Sequence, residues 1–218
     1  MKCFAPSSLP LVFFSSLIIV VSLIAIILLS IFYPSIWLIL LFSLIILFFA
    51  FVIWSFRNPI RTIKQDSRLI ISPADGKISE IKVSDKGFSV TILMSPFDVH
   101  MNRSPIDAVV QEVTFKKGSH WPVYFNNYAR RNQRNIIELV NDEKQLFVKV
   151  IQVSGIFARR TISYVSKGDK VKQGELIGTI RFGSITHIEV QTTKKYKILV
   201  DRHSKVKAGL TPLAEEIE

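Results

Sequence analysis

What the chain lacks narrows its class before any motif is read. Among 218 residues there is one cysteine, Cys3, so neither an internal disulfide framework nor a cysteine-based zinc site is expected. No apolar stretch precedes Cys3, so a lipoprotein-type signal is not expected either. The four histidines, His100, His120, His187 and His203, are scattered without metal-ligand spacing, and no metal is predicted. Charge is missing from one region altogether: after Lys2 the next charged residue is Arg57, leaving 54 uncharged residues from Cys3 to Phe56. No water-facing segment of that length would lack charge, which excludes a wholly soluble protein. The remainder, Arg57–Glu218, holds 27 basic and 17 acidic residues, a net charge of +10. Its polarity is that of one compact domain with a core, which excludes a polytopic channel or transporter.

What fills the gap is apolar. Leu11–Tyr33 and Ile36–Trp54 are each near the ~20 residues that cross a hydrocarbon layer ~30 Å thick. Between them Pro34-Ser35 is the only turn signal, since proline interrupts the helical ladder and serine can satisfy a freed backbone group. A two-helix transmembrane hairpin over residues 1–56 is therefore predicted, with Tyr33, Trp37 and Trp54 as interfacial anchors. No small-residue cleavage site follows a short apolar core, so a removable signal peptide is not expected. Lys2 stands before the hairpin and Arg57, Arg61 and Lys64 follow it. The positive-inside rule then places both ends, and the domain at 57–218, on the cytoplasmic side of the cell membrane.

From Leu69 onward short alternating runs are punctuated by Gly, Pro, Asn and Asp. The runs are Lys77–Val83, Phe88–Met94, Ala108–Phe115, Ile136–Val140, Gln145–Val153, Thr161–Val165, Leu176–Phe182 and Ile188–Val190. Period-two spacing with β-branched residues predicts strands. Only Trp121–Asn132 reads as helical. A weak echo adds to this: Lys170-Val171-Lys172-Gln173-Gly174 recurs as Lys205-Val206-Lys207-Ala208-Gly209, 35 residues later. Such V-K-x-G hairpins resemble those of biotinyl/lipoyl-type barrel-sandwich folds, although no Met-Lys hairpin tip is present to carry a cofactor. The predicted class is a mainly β, barrel-sandwich-like soluble domain behind a membrane hairpin.

Three segments concentrate chemistry. Ser72-Pro73-Ala74-Asp75-Gly76 sets an acid in a tight turn at a strand start. Ser95–Pro105, SPFDVHMNRSP, places Asp98, His100 and Arg103 between prolines that restrict the backbone. Arg181-Phe182-Gly183-Ser184 puts a hydroxyl directly after a glycine at a strand end. Each alone also has a bland reading, as a turn, a core histidine or a surface Gly-Ser.

Taken in order they resemble the short-form phosphatidylserine decarboxylases, pyruvoyl enzymes of phospholipid biosynthesis, with archaetidylserine decarboxylases as close relatives. Phe56-Arg57-Asn58-Pro59 is similar to the family's exit from its hairpin. SPADG and SPFDVHMNRSP are close to family wording, and Asn132-Gln133-Arg134-Asn135 looks like its N-E-R-N segment. Ser154–Arg160 and then Gly168-Asp169-Lys170-Val171 lead into Ile180–Ser184 in the family's order. The resemblance covers nearly the whole chain.

That resemblance implies a zymogen, a lyase made by autocatalytic cleavage. The Ser184 hydroxyl would attack the Gly183 carbonyl in an N→O acyl shift, and glycine there limits crowding. β-Elimination then leaves dehydroalanine, which hydrolyses to a pyruvoyl group, the covalent cofactor derived from Ser184. The products would be chains 1–183 and 184–218. The ketone would form a Schiff base with the substrate amine and act as electron sink as CO₂ leaves. Asp75 and His100 match the family's acidic and histidine positions, and a histidine tuned by a carboxylate can move the protons of either step. Where longer relatives have a second histidine this chain has Arg103, which leaves the processing base open. His187 stands where many relatives have other residues; it is either a compensating acid/base or, as expected of an isolated polar strand residue, solvent-facing.

The expected partners are a serine phospholipid in the membrane and the chain's own cleaved halves; a homodimer is compatible with such a site. The basic surface, with Arg130, Arg131 and Arg134 or Arg159 and Arg160 as candidates, suits anionic lipid at ~1 kcal/mol per surface basic residue. Nucleic acid is not expected, since no binding motif is present. Two rivals are a serine hydrolase built on Ser184, His100 and Asp75, which lacks a G-x-S-x-G elbow, and a tethered adaptor without chemistry.

Overall fold

The computed structural model describes residues 8–32, 35–121, 131–155, 161–180 and 184–217. The chain forms two compact units, Met1–Ile60 and Arg61–Glu218. In the first, helix α1 (Leu9–Phe32) packs against helix α2 (Ile36–Ser55). Both are long and apolar enough to cross a bilayer. Three of their hydroxyls are turned back onto the helix: Ser16 donates to the Val12 carbonyl, Ser30 to that of Ile27 and Ser55 to that of Phe51, each at 2.9 Å. An apolar solvent could not satisfy them otherwise. Arg57 lies over the Trp54 ring, 3.6 Å from its centroid, and donates to the Trp54 carbonyl, so the first charge after the gap is held at the helix end.

The second unit is built of strands. An eight-stranded antiparallel sheet runs β13-β2-β3-β11-β7-β6-β5-β9. Its members are β2 (Gly76–Ser84), β3 (Gly87–Met94), β5 (Ala108–Lys116), β6 (Arg134–Asn141), β7 (Leu146–Val153), β9 (Lys170–Val171), β11 (Ser184–Thr192) and β13 (Lys205–Val206). Two three-stranded sheets accompany it. One runs β1 (Leu69–Ile71), β14 (Pro212–Ile217), β12 (Lys195–Ile198); the other runs β4 (Met101–Arg103), β10 (Leu176–Ile180), β8 (Thr161–Ser163). One continuous core includes Ile78, Val90, Ile92, Ile137, Leu139, Val148, Val150, Ile177, Ile180, Ile188 and Leu213. At ~1.5–3 kcal/mol for each fully buried side chain of this kind, that cluster drives the collapse of the domain.

The alternating runs predicted from sequence all contribute strands, and the barrel-sandwich-like β class is what the domain shows. Leu176–Phe182 is strand through Ile180, its last two residues lying outside the described ones. The run at Ile188–Val190 is part of a longer strand, β11, which occupies the middle of the large sheet. Most of the helix expected at Trp121–Asn132 lies outside the described residues. Asn132 itself bridges to Ser119.

The V-K-x-G echo is a structural repeat, and a second echo accompanies it. Val171 and Val206 each sit buried in a two-residue strand, and each strand lies at an edge of the large sheet. Gly174 and Gly209 follow with φ of +81° and +77°; a Cβ on Gly174 would run into Ile63 and one on Gly209 into Arg103. Facing these turns are Ser72-Pro73-Ala74-Asp75 and Ser104-Pro105-Ile106-Asp107. Ser72 donates to the Ala74 carbonyl and Ser104 to that of Ile106, both at 2.7 Å. Asp75 accepts the Ala208 N–H and Asp107 the Gln173 N–H, both at 2.8 Å. Each S-P-x-D turn therefore holds one K-V-K-x-G turn through the same carboxylate-to-amide bond.

Candidate active site

Residue 184 opens β11, and the ladder sets it opposite Met94, the last residue of β3. From Met94 the chain passes through a tight turn to His100. The Asp98 carboxylate accepts the Ser95 N–H at 2.7 Å, the Asp98 N–H donates to the Ser95 carbonyl at 3.1 Å, and the Ser95 hydroxyl accepts the Phe97 N–H. Asx-type bonding of this kind fixes the loop locally and leaves Phe97 exposed at its tip. At the far end His100 is 1% exposed. Its carbonyl accepts the Ile180 N–H at 3.1 Å and the Thr179 hydroxyl at 2.8 Å. One short segment, 94–100, thus holds the chain on both sides of residues 181–183. Gly183 and the side chain of Ser184 lie outside the described residues.

The structure puts Asp75 elsewhere than on His100. Its two oxygens take both Nη atoms of Arg61 at 2.7 Å each, and one also accepts the Ala208 N–H. Arg61 donates further to the Ala208 carbonyl. The pair is nearly dry, the side chains 6% and 11% exposed. Arg103 adds a second buried cation: it donates to the Gly174 carbonyl at 2.9 Å. Burial, and then the positive charge of Arg61, hold its pKa below the ordinary guanidinium value, against the pull of Asp75. Arg103 therefore belongs with Arg61 and Asp75 at the S-P-x-D turn.

Between the sheets runs a chain of buried polar side chains. Asn135 on β6 donates to Gln152 on β7 at 2.9 Å, and Gln152 donates to Asn102 on β4 at 2.7 Å. Asn102 donates to the Pro73 carbonyl at 3.2 Å and to the Thr186 hydroxyl at 3.1 Å. Sequence reading passed over Gln152 and Thr186. An apolar alternation interrupted by a polar residue on the core face is the signal that marks them.

His187, the next residue, falls on the opposite face of β11 by strand alternation. It is half-buried rather than solvent-facing, and its Nδ1 lies 2.9 Å from the Thr91 hydroxyl. Burial lowers its pKa from 6.5, Lys82 adds to this and Glu80 opposes it. Residues 184 and 186 share the other face, so His187 is separated by the sheet from the position it would have to serve. His120 was not singled out in sequence, yet its Nδ1 lies 3.2 Å from the Ser154 hydroxyl, one residue beyond Val153, the β7 partner of Ile185. Arg131 is exposed and Arg134 half-buried, while Arg130, Arg159 and Arg160 lie outside the described residues. Among the described residues no cluster of His, Cys, Asp or Glu could hold a metal ion.

The family model described as phosphatidylserine decarboxylase matches residues 48–214. The chain belongs to the phosphatidylserine decarboxylase family, a family of carboxy-lyases. It is 37% identical to the phosphatidylserine decarboxylase proenzyme of Carboxydothermus hydrogenoformans, over 77% of this chain and 81% of that one. It is 39% identical to the like-named proenzyme of Syntrophus aciditrophicus, over 75% and 78%. A protein of Archaeoglobus fulgidus, provisionally named an archaetidylserine decarboxylase proenzyme, is 40% identical over 78% and 80%.

Proposed function

We propose that this chain is a proenzyme that cleaves itself between Gly183 and Ser184 and then decarboxylates a serine phospholipid, phosphatidylserine or archaetidylserine, to the ethanolamine lipid. The observation that carries the reading is the hold of segment 94–100 on both flanks of the bond, through Met94 opposite residue 184 and the His100 carbonyl on Ile180 and Thr179. Two reacting groups a peptide bond apart need that constraint, because misplacement by a fraction of an ångström costs orders of magnitude in rate.

In the cut, His100 accepts the proton of the Ser184 hydroxyl as its oxygen attacks the Gly183 carbonyl; the Gly183–Ser184 C–N bond breaks, the nitrogen takes that proton, and an ester to the Ser184 oxygen remains. Loss of the Ser184 α-proton expels the Gly183 carboxylate. Hydrolysis of the resulting dehydroalanine releases ammonia and leaves the pyruvoyl end. The site fits such a blocked end, because β11 is paired to β3 from residue 184 through Gln191 and to β7 from residue 185 through Thr192, which anchors the strand along its length. When formed, the pyruvoyl group supplies a carbonyl that accepts electrons as CO₂ departs. His100, buried at the end of the segment that begins at Met94, the ladder partner of residue 184, supplies the proton that replaces CO₂. Asp75 acts at a distance, by fixing the turn that carries Pro73. The hairpin holds the domain at the cytoplasmic face, where the headgroup is presented.

The test is the mass of the purified full-length chain. Two fragments split before residue 184, the smaller refractory to N-terminal sequencing, are expected, and Ser184→Ala should remain whole. An intact chain in an active preparation would refute the proposal. Release of CO₂ from vesicles of each serine lipid then separates the two substrates.

A further inference from the structure

The polar chain between the sheets is costly unless it specifies something. Asn102, Gln152 and Thr186 are fully buried, and Asn135 nearly so. Apolar side chains would fill the same space without a desolvation penalty. The chain has a direction. Asn135 donates to Gln152, Gln152 to Asn102, Asn102 to Thr186, and Thr186 to the Met94 sulfur at 3.5 Å. It ends at two places that frame one residue: Thr186 is two positions along the same strand face from 184, and Met94 is the ladder partner of 184. Along the way it joins four elements. Asn102 reaches the Pro73 carbonyl in the S-P-A-D turn, and Gln152 crosses to β10, where a Cβ on Gly178 would lie 2.8 Å from its Nε2. Glycine at 178 leaves the room that the Gln152 amide occupies.

We infer that Asn102, oriented by Gln152, is a positioning residue that fixes the start of β11 through Thr186, aligning residue 184 for cleavage. The inference rests on the cleavage proposed above. Asn102 acts through its bonds to Thr186 and Pro73. Its orientation is not free, because Gln152 gives its amide N–H to the Asn102 oxygen and so turns the Asn102 nitrogen toward Thr186.

The experiment follows the appearance of the 184–218 fragment in full-length chain synthesised in vesicles, by mass and gel, against time. Thr186→Val keeps shape and removes the hydroxyl, and Asn102 keeps its bond to Pro73; cleavage is expected to slow at least tenfold. Thr186→Ser restores the hydroxyl and is expected to recover to within threefold of the parent, which a loss of packing would not do. Gln152→Met, similar in volume and on β7 opposite Thr186, tests the same relay if Thr186→Val does not fold, and should also slow at least tenfold. Protease resistance of each variant in a Ser184→Ala background establishes folding. Parent-like cleavage in a folded Thr186→Val or Gln152→Met chain overturns the inference, as does a Thr186→Ser chain as slow as Thr186→Val. A parent chain that is never cut before residue 184 overturns the proposed function itself, and is read from the parent lane alone.

Discussion

Replacing Asp75 by asparagine removes one negative charge from a site that holds two buried cations. Arg61 loses both of its 2.7 Å carboxylate bonds as charge-assisted ones, and Arg103, already held below its ordinary pKa, loses the nearest anion. Breaking a buried pair from one side costs ~3–5 kcal/mol, and the second arginine puts Asp75→Asn at the upper end. Arg61→Met should cost less, ~2–3 kcal/mol, because Asp75 keeps the Ala208 N–H and the field of Arg103. The sharper expectation is a reversal of sign: adding Arg61→Met to Asp75→Asn should restore ~1–3 kcal/mol, since the double variant buries one cation, that of Arg103, rather than two. Asp107→Asn is the internal control. Asp107 holds the equivalent amide, that of Gln173, with no arginine on it, and its loss should cost only ~1 kcal/mol. The assay is urea unfolding of the uncleaved Ser184→Ala chain in detergent. With Trp37 and Trp54 changed to Phe, Trp121 is the one tryptophan left of three to report on the β domain. A double variant less stable than Asp75→Asn, or an Asp107→Asn as damaging as Asp75→Asn, would refute the charge argument.

Gly174→Ala forces a methyl to 2.3 Å from Ile63 at a φ of +81° and should cost ~1–3 kcal/mol in the same melts; Ile63→Ala should relieve the clash but not the φ. The lowered pKa of His187 means that the unfolded chain binds its proton first, so stability is lost as pH falls from 6.5 toward the folded value. Replacing His187 by glutamine should flatten the stability curve in that window while leaving cleavage intact. Glu216 is held below the ordinary carboxylate range, chiefly by the Lys194 bond at 2.6 Å with Lys144 assisting. Its contribution is complete above that ordinary range and disappears as pH falls through the folded value, so Glu216→Gln should remove part of the acid sensitivity, below ~1 kcal/mol at this half-buried, solvent-screened site.

Much of the fold was legible because its long strands bury one face and so alternate, as Ile136–Val140 and Leu146–Val153 do. The short ones were not. Met101-Asn102-Arg103 is buried at every position, and its polar residues are satisfied by partners far along the chain, so no period shows. Pro212–Ile217 carries two glutamates, one of which is clamped by lysines from elsewhere. At the site, the SPFDVHMNRSP motif marked His100 as a candidate, but nothing in sequence pointed to the partners of Asp75. Arg61 lay among residues read as a basic flank for the membrane, and only the folded chain turns it inward. The S-P-I-D copy of the S-P-A-D turn escaped notice because four residues with one change carry little weight until their hydrogen bonds prove the same.

The position of β11 has a consequence for the life of the molecule. It is an interior strand, bonded to β3 on one side and β7 on the other, and it belongs to the fragment that cleavage would release. While the chain is whole, the tether supplies this strand to its slot at an effective concentration of about millimolar. After the cut nothing recruits it. An enzyme that unfolds then leaves two sticky edges waiting for a separate 35-residue peptide, and aggregation is the faster event. If the proposed cleavage occurs, the peptide bond given up to make the catalyst is also the tether by which the strand was assembled, and each molecule would be built only once, its supply resting on synthesis rather than repair.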